Sequence, residues 1–180
     1  INAGLVGSEM CIRDSPCFVK LKSDIAKVSN EINAVVVNDS VIGKNIFEGP
    51  GAGAGPTGAS VMSDLMDIIR GTYNYPLGVS MKKKKKLKIQ KIDDLSFPYY
   101  LRITAKDKAG VMAKISKALS KRKISIESII QKPSKRSNFA EIILITHTVK
   151  ESSLLSSIKQ IKRLPEVSSS VKFIRIEDSL

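Results

Sequence analysis

The chain has 180 residues, room for one or two small domains, and 42% of them are hydrophobic, an ordinary share for a globular protein. Thirty Lys and Arg against 17 Asp and Glu leave a net charge of +13, a balance that suits anionic partners, while no apolar run reaches the roughly 20 residues that cross a bilayer. Two Cys and one His, with no Cys-x-x-Cys, exclude a recognisable metal-ligand cluster, and the lack of a secretory signal points to a reducing, cytoplasmic compartment.

The chain opens on Ile1 rather than Met, which is expected of a fragment or a processed product. Ile1 to Ser15 shows no period and resembles a translated sequencing adapter, so residues 1–15 are set aside as a non-native or disordered terminus. Residues 16–80 form one compositional unit. Glu31 to Val37 reads as a strand, Asn38-Asp39 as a turn, and Val41 to Phe47 as the returning strand of a β-hairpin. After the glycine-rich stretch Gly49 to Gly55, a helix is expected from Pro56 to about Arg70, because proline is tolerated in a first helical turn. Val61, Leu65, Ile68 and Ile69 share its apolar face, widened by Met62 and Met66. Residues 81–97, with the run Lys82 to Lys86 plus Lys88 and Lys91, read as a solvated basic linker.

Phe97-Pro98 opens the second domain, residues 98–180. Tyr99 to Ala105 alternates as a half-buried strand, with Leu101 and Ile103 on one face. A turn at Asp107 to Gly110 precedes a helix from Val111 to Arg122, which carries Val111, Ile115, Ala118 and Leu119 at core spacing. Strands follow at Ile124 to Gln131 and Phe139 to Thr148, separated by a polar loop. A helix over Lys150 to Leu164 turns Leu154, Leu155, Ile158 and Ile161 inward, and Val171 to Ile176 is the last strand. The order βαββαβ within about 80 residues is the ferredoxin-like arrangement, with helices on one sheet face and the other face left for solvent or a partner.

Four features are candidates for chemistry. In G-P-G-A-G-A-G-P-T, Gly49 to Thr57, glycines allow close backbone approach and the helix start adds partial positive charge. The spacing fits neither the dinucleotide fingerprint nor the phosphate loop, so a packing turn and a ligand loop remain equal readings. Asp107-x-x-Gly110-Val111 joins a strand to a helix. Asp107 can cap that helix, the favoured reading, or meet a ligand's ammonium group. His147 has no Cys, Asp or second His nearby in sequence and reads as structural or surface rather than catalytic. Tyr99, Tyr100 and Phe139 fall where RNA-recognition domains of this topology stack bases, but the third strand lacks their motif.

Two stretches resemble known families. Asn33 to Ile68, with the G-x-G-A-G-x-x-P-T pattern and Asp64 downstream, resembles the end of the substrate and dimerisation domain of homoserine dehydrogenase. Tyr99 to Gln131 is similar to the ACT domain found at the end of some bacterial forms of that enzyme. The resemblance implies an α+β chain: the end of a mixed α/β substrate/dimerisation domain followed by a ferredoxin-like βαββαβ ACT domain. It implies a parent oxidoreductase that interconverts L-aspartate 4-semialdehyde and L-homoserine with NADP or NAD, on the way to threonine, methionine and isoleucine. The dinucleotide-binding domain, which holds most of the cofactor, and the catalytic residues would lie upstream of Pro16, so this stretch is expected to be inactive alone. Gly53, with Gly51 beside it, matches a glycine near the nicotinamide. Asp107, Gly110 and Val111, together with Ser125 and Ile126 at the start of the second ACT strand, would contact an amino-acid effector, expected to be threonine, between two ACT domains of a homo-oligomer. The lysine run and Gly58 depart from the usual family pattern. The competing reading is a free-standing ACT-like module whose basic tail contacts RNA or a protein partner. The composition argues against a membrane, and the missing RNA-recognition motif argues against nucleic acid.

Overall fold

The computed structural model describes residues 16–71, 95–134 and 137–177. The terminus 1–15 with Cys11, and the basic run Lys82 to Lys86, lie outside the described residues. The described chain divides into two compact units, one of residues 20–71 and one of residues 16–19 with 95–134 and 137–177.

In the smaller unit a 3-10 turn at Asp24–Lys27 precedes the hairpin of β2 (Ile32–Asp39) and β3 (Gly43–Pro50); β1 (Cys17–Val19) belongs to the other unit. The strands pair in continuous antiparallel register from Ile32↔Pro50 to Asp39↔Gly43. The turn is therefore Ser40 to Ile42, not Asn38-Asp39, which remain in the ladder. Gly43 follows the turn at φ 74°, a left-handed conformation that glycine adopts freely, and opens the returning strand. Helix α1 (Ala54–Ile69) starts two residues before Pro56, with Gly53 as its N-cap. Pro56 still lies in the first turn, where its missing N–H costs no intrahelical bond. The apolar stripe expected of α1 is present, yet no residue of the helix is buried. Val61, Met62, Leu65, Met66, Ile68 and Ile69 are all exposed, as are Val35 and Phe47 of the hairpin.

The larger unit has the expected order: β5 (Tyr99–Lys106), α2 (Val111–Ser120), β6 (Ile126–Pro133), β7 (Phe139–Thr146), α3 (Glu151–Ile161) and β9 (Val167–Glu177). Its sheet runs β1-β9-β5-β7-β6. The four long strands are antiparallel neighbours, and β1 adds to the outer edge in parallel with β9, Cys17 opposite Arg175. Composition had grouped β1 with the hairpin; three residues carry too little pattern to reveal a strand. Phe18 meets Tyr100 edge-to-face at 5.3 Å between ring centroids. A second short ladder joins β4 (Ser96–Phe97) to β8 (Val149–Lys150).

Alternation builds the core. Tyr99, Leu101, Ile103 and Ala105 of β5 are buried, and so are Ala140, Ile142, Leu144 and Thr146 of β7. Facing them, α2 buries Val111, Ile115, Ala118 and Leu119, the four residues expected. Helix α3 buries Glu151, Leu154, Ser157, Ile158 and Ile161. Leu155 is a correction. It stands 38% exposed because the inward stripe at three- and four-residue spacing passes through Leu154 and Ser157 instead. Glu151 is tolerated inside because Tyr99 donates its phenol hydrogen to Glu151 Oε2 at 3.1 Å. Gly110, the N-cap of α2, sits at φ 84°. A Cβ there meets no neighbouring atom, so Gly110→Ala should cost only the left-handed strain, about 1–2 kcal/mol, read as a lower urea midpoint with unchanged slope.

Candidate functional site

The chemistry expected of the second domain centres on the turn after β5. Lys106 N–H donates to the Glu166 carbonyl at 2.8 Å, and Asp107 N–H to the Asn138 carbonyl at 3.0 Å, so two other loops hold the turn. Gln131 Nε2 donates to Asp107 Oδ1 at 3.1 Å. No side-chain hydrogen bond caps α2. The favoured reading of Asp107 as a cap is therefore corrected. Its exposed carboxylate points to Gln131 of β6, and the cap is Gly110. Lys106, Asp107, Lys108, Ser137, Asn138 and Phe139 line a 540 Å³ cleft beside the turn. The start of α2 opens close by in sequence, through exposed Gly110 and buried Val111.

Ser125 and Ile126 are not brought to this cleft. Strands β5 and β6 both run antiparallel to β7 and so point the same way. Ile126 lies opposite Thr146 at one end of the sheet, and Pro133 opposite Ala140 at the other, near Asp107. The seven steps between them span roughly 23 Å. Sequence reasoning missed Gln131, Ser137 and Asn138. Only Asn138 gave a hint, as a polar loop residue able to take the left-handed φ of 62° it adopts.

Of the three aromatic residues weighed for base stacking, Phe139 lines the cleft beside Asp107, and the other two are otherwise engaged. Tyr99 is 1% exposed, and Tyr100 is half-buried against Phe18. The His147 side chain is exposed, and its backbone N–H donates to the Ser125 carbonyl at 3.0 Å. Cys17 is a free, exposed thiol. Among the described residues no group of three His, Cys, Asp or Glu could hold a metal, and no helix is long and apolar enough to cross a membrane.

In the smaller unit, Gly51 and Gly53 link β3 to α1. Gly51 N–H donates to the Glu31 carbonyl at 2.7 Å, and a Cβ on Gly51 would stand 2.0 Å from Asn33 Nδ2. The Asn33 side chain thus fills the space that the missing side chain leaves. Gly53, at φ 123°, has only the Pro56 ring near its Cβ position. No charged residue occurs from Gly49 to Thr57. By themselves these residues do not make a dinucleotide site: Gly51 is occupied by packing, and Gly53 has the Pro56 ring beside it.

Comparison with known proteins joins the two units. The family model for homoserine dehydrogenase matches residues 3–66, and the one for the ACT domain matches residues 99–166. Homoserine dehydrogenases from Helicobacter pylori and Pseudomonas aeruginosa are 33% and 36% identical over 93% and 92% of this chain. The chain belongs to the homoserine dehydrogenase family. A crystal structure of a homoserine dehydrogenase from Thiobacillus denitrificans superposes on 91% of it at 30% identity, with a TM-score of 0.78. The chain spans 39% and 40% of the two bacterial homoserine dehydrogenases and 38% of the crystallised one. Its α+β architecture is that of the ACT-bearing part of the family.

Proposed function

We propose that the chain is the regulatory portion of a cytoplasmic homoserine dehydrogenase, and that its ACT unit binds threonine between two copies. The whole enzyme would interconvert L-aspartate 4-semialdehyde and L-homoserine with NADP or NAD, in the route to threonine, methionine and isoleucine. The cofactor would be held mainly by other parts of the protein, with Gly53 as a backbone contact here, while Gly51 seats Asn33.

The observation that carries the effector reading is the separation along β6. Asp107, Gly110 and Val111 lie at one end of the sheet, and Ser125 and Ile126 at the other. Strand β6 is the sheet edge, and seven of its eight residues are exposed. If two copies pair these edges antiparallel about a two-fold axis, the Asp107 turn of one reaches the end of the sheet that carries Ser125 of the partner subunit. A free amino acid then finds both of its charges answered: the ammonium by the Asp107 carboxylate, and the carboxylate by the N–H groups at the start of α2. An effector so held favours the state in which the edges are paired, which is how it would regulate an attached catalytic body.

Calorimetric titration of the chain with threonine tests this. Affinity near millimolar, about 4 kcal/mol, is sufficient for a metabolite sensor. At ten times that concentration, linkage adds about 1.4 kcal/mol of stability, or a rise in Tm of roughly 5–10 °C for a domain this size. Asp107→Asn should weaken binding about tenfold, by loss of a charge-assisted contact. The absence of both heat and a Tm shift with threonine in the native chain would rule out the sensing role.

A further inference from the structure

On the helix side of the ACT unit lies a groove that the threonine reading does not use. From Val111 to Lys123 the sequence holds five cations and no carboxylate. Lys114, Lys117 and Lys121 recur at three- and four-residue spacing and fall in one stripe, about 10 Å long along the axis of α2. Across from them stand Gln160 and Arg163, and the floor is apolar, formed by Ala118 and Leu164. The groove encloses 390 Å³, the size of a small-molecule site rather than of a docked helix.

The charges here are not balanced from within. Glu166 bonds Lys114, which holds the Glu166 carboxyl below its ordinary range. Among the described residues Lys117, Lys121 and Arg163 have no carboxylate partner. Like charges three and four apart on a helix repel one another, and of this stripe only Lys114 has a carboxylate to answer it among the described residues. An anion with several charges in a row relieves that repulsion.

We propose that this groove binds a nucleoside di- or triphosphate. The phosphate chain would lie along Lys117 and Lys121 with Arg163 facing it, since guanidinium and ammonium groups form strong charge-assisted bonds to phosphate oxygens. The flat base would cover Ala118 and Leu164, and the Gln160 amide, both donor and acceptor, can pair with a base edge. A nucleic-acid strand fits less well. It needs successive stacking platforms, and of the unit's candidate aromatics Tyr99 is buried, Tyr100 packs against Phe18, and Phe139 borders the separate cleft beside Asp107.

The test is fluorescence anisotropy of a fluorescent ATP analogue with the full chain at about 50 mM salt, where phosphate contacts are strong. Binding at about 10–100 μM is expected. Lys117→Gln/Lys121→Gln should weaken it at least about tenfold with the urea midpoint unchanged, while replacing Lys82 to Lys86 by Gln should leave it within about threefold. ATP should displace the probe at lower concentration than tripolyphosphate or a single-stranded oligonucleotide of equal charge. The proposal is overturned by no binding, by retained binding in the groove variant, or by an equal or larger loss in the Lys82 to Lys86 variant. Tripolyphosphate or the oligonucleotide competing as well as ATP would overturn it too.

Discussion

Ile130→Lys should abolish threonine binding while leaving the ACT unit folded. Ile129 and Ile130 are 46% and 50% exposed at the middle of β6, where a two-fold edge pairing places its axis. Ile129 lies opposite Leu144 of β7 and Ile130 opposite Ile143, so the two side chains leave the sheet on opposite faces. A partner strand would cover both. A lysine at 130 is free to stay in water in the single copy, so the fold loses little. On pairing, two ammonium groups approach the axis together. Desolvation and repulsion should cost about 3 kcal/mol or more, over a hundredfold in association. Sedimentation velocity reads the association, and calorimetry with threonine reads the site. The exposed apolar residues of α1 and the hairpin offer a second way for copies to associate, so threonine binding is the deciding measurement. A variant that still binds threonine with native affinity would break the link between the β6 edge and the effector site.

How far these features were legible follows from the range over which each is encoded. The alternation of Leu101 and Ile103, and the spacing of Val111, Ile115, Ala118 and Leu119, are local periods, and the structure repeats them. The hairpin was legible as two strands but not in its turn, because Asn38-Asp39 and Gly43 are competing turn signals a few residues apart and Gly43 prevails. The contact of Gln131 with Asp107 spans 24 residues and depends on the register of β6 against β7; no local pattern records it. The edge position of β6 is likewise a property of strand order. Its sequence, I-E-S-I-I-Q-K-P, is apolar enough for a central strand, and only topology shows that it lies open.

The same limit explains the smaller unit. An apolar stripe on α1 states that something must cover it, not what does. A 16-residue helix and a two-stranded hairpin are each marginal alone in water, and among the described residues of this unit only Ser23 is buried. The stripe is thus a core face without a core of its own here. By contrast, the ACT unit closes its core with residues from both helices and the long strands.

Adjacent leucines of α3 give the sharpest test of that core. Leu154 is 0% exposed and Leu155 is 38% exposed, although periodicity alone turned both inward. Leu154→Ala should cost about 2–5 kcal/mol, combining lost burial with a residual cavity. That is a large part of the 5–15 kcal/mol typical of a whole domain, and a fall in Tm of roughly 10–30 °C for a unit this small. Leu155→Ala removes the same atoms from a site that water already reaches, and should cost about 1 kcal/mol or less. Urea unfolding of the two variants, with unchanged slopes, measures the difference directly. Because the chemistry of the substitution is identical, the contrast reports the rotation of α3 alone. Equal losses would mean that the helix is turned from the orientation described, moving Ser157 and Glu151 out of the core and breaking the Tyr99–Glu151 hydrogen bond.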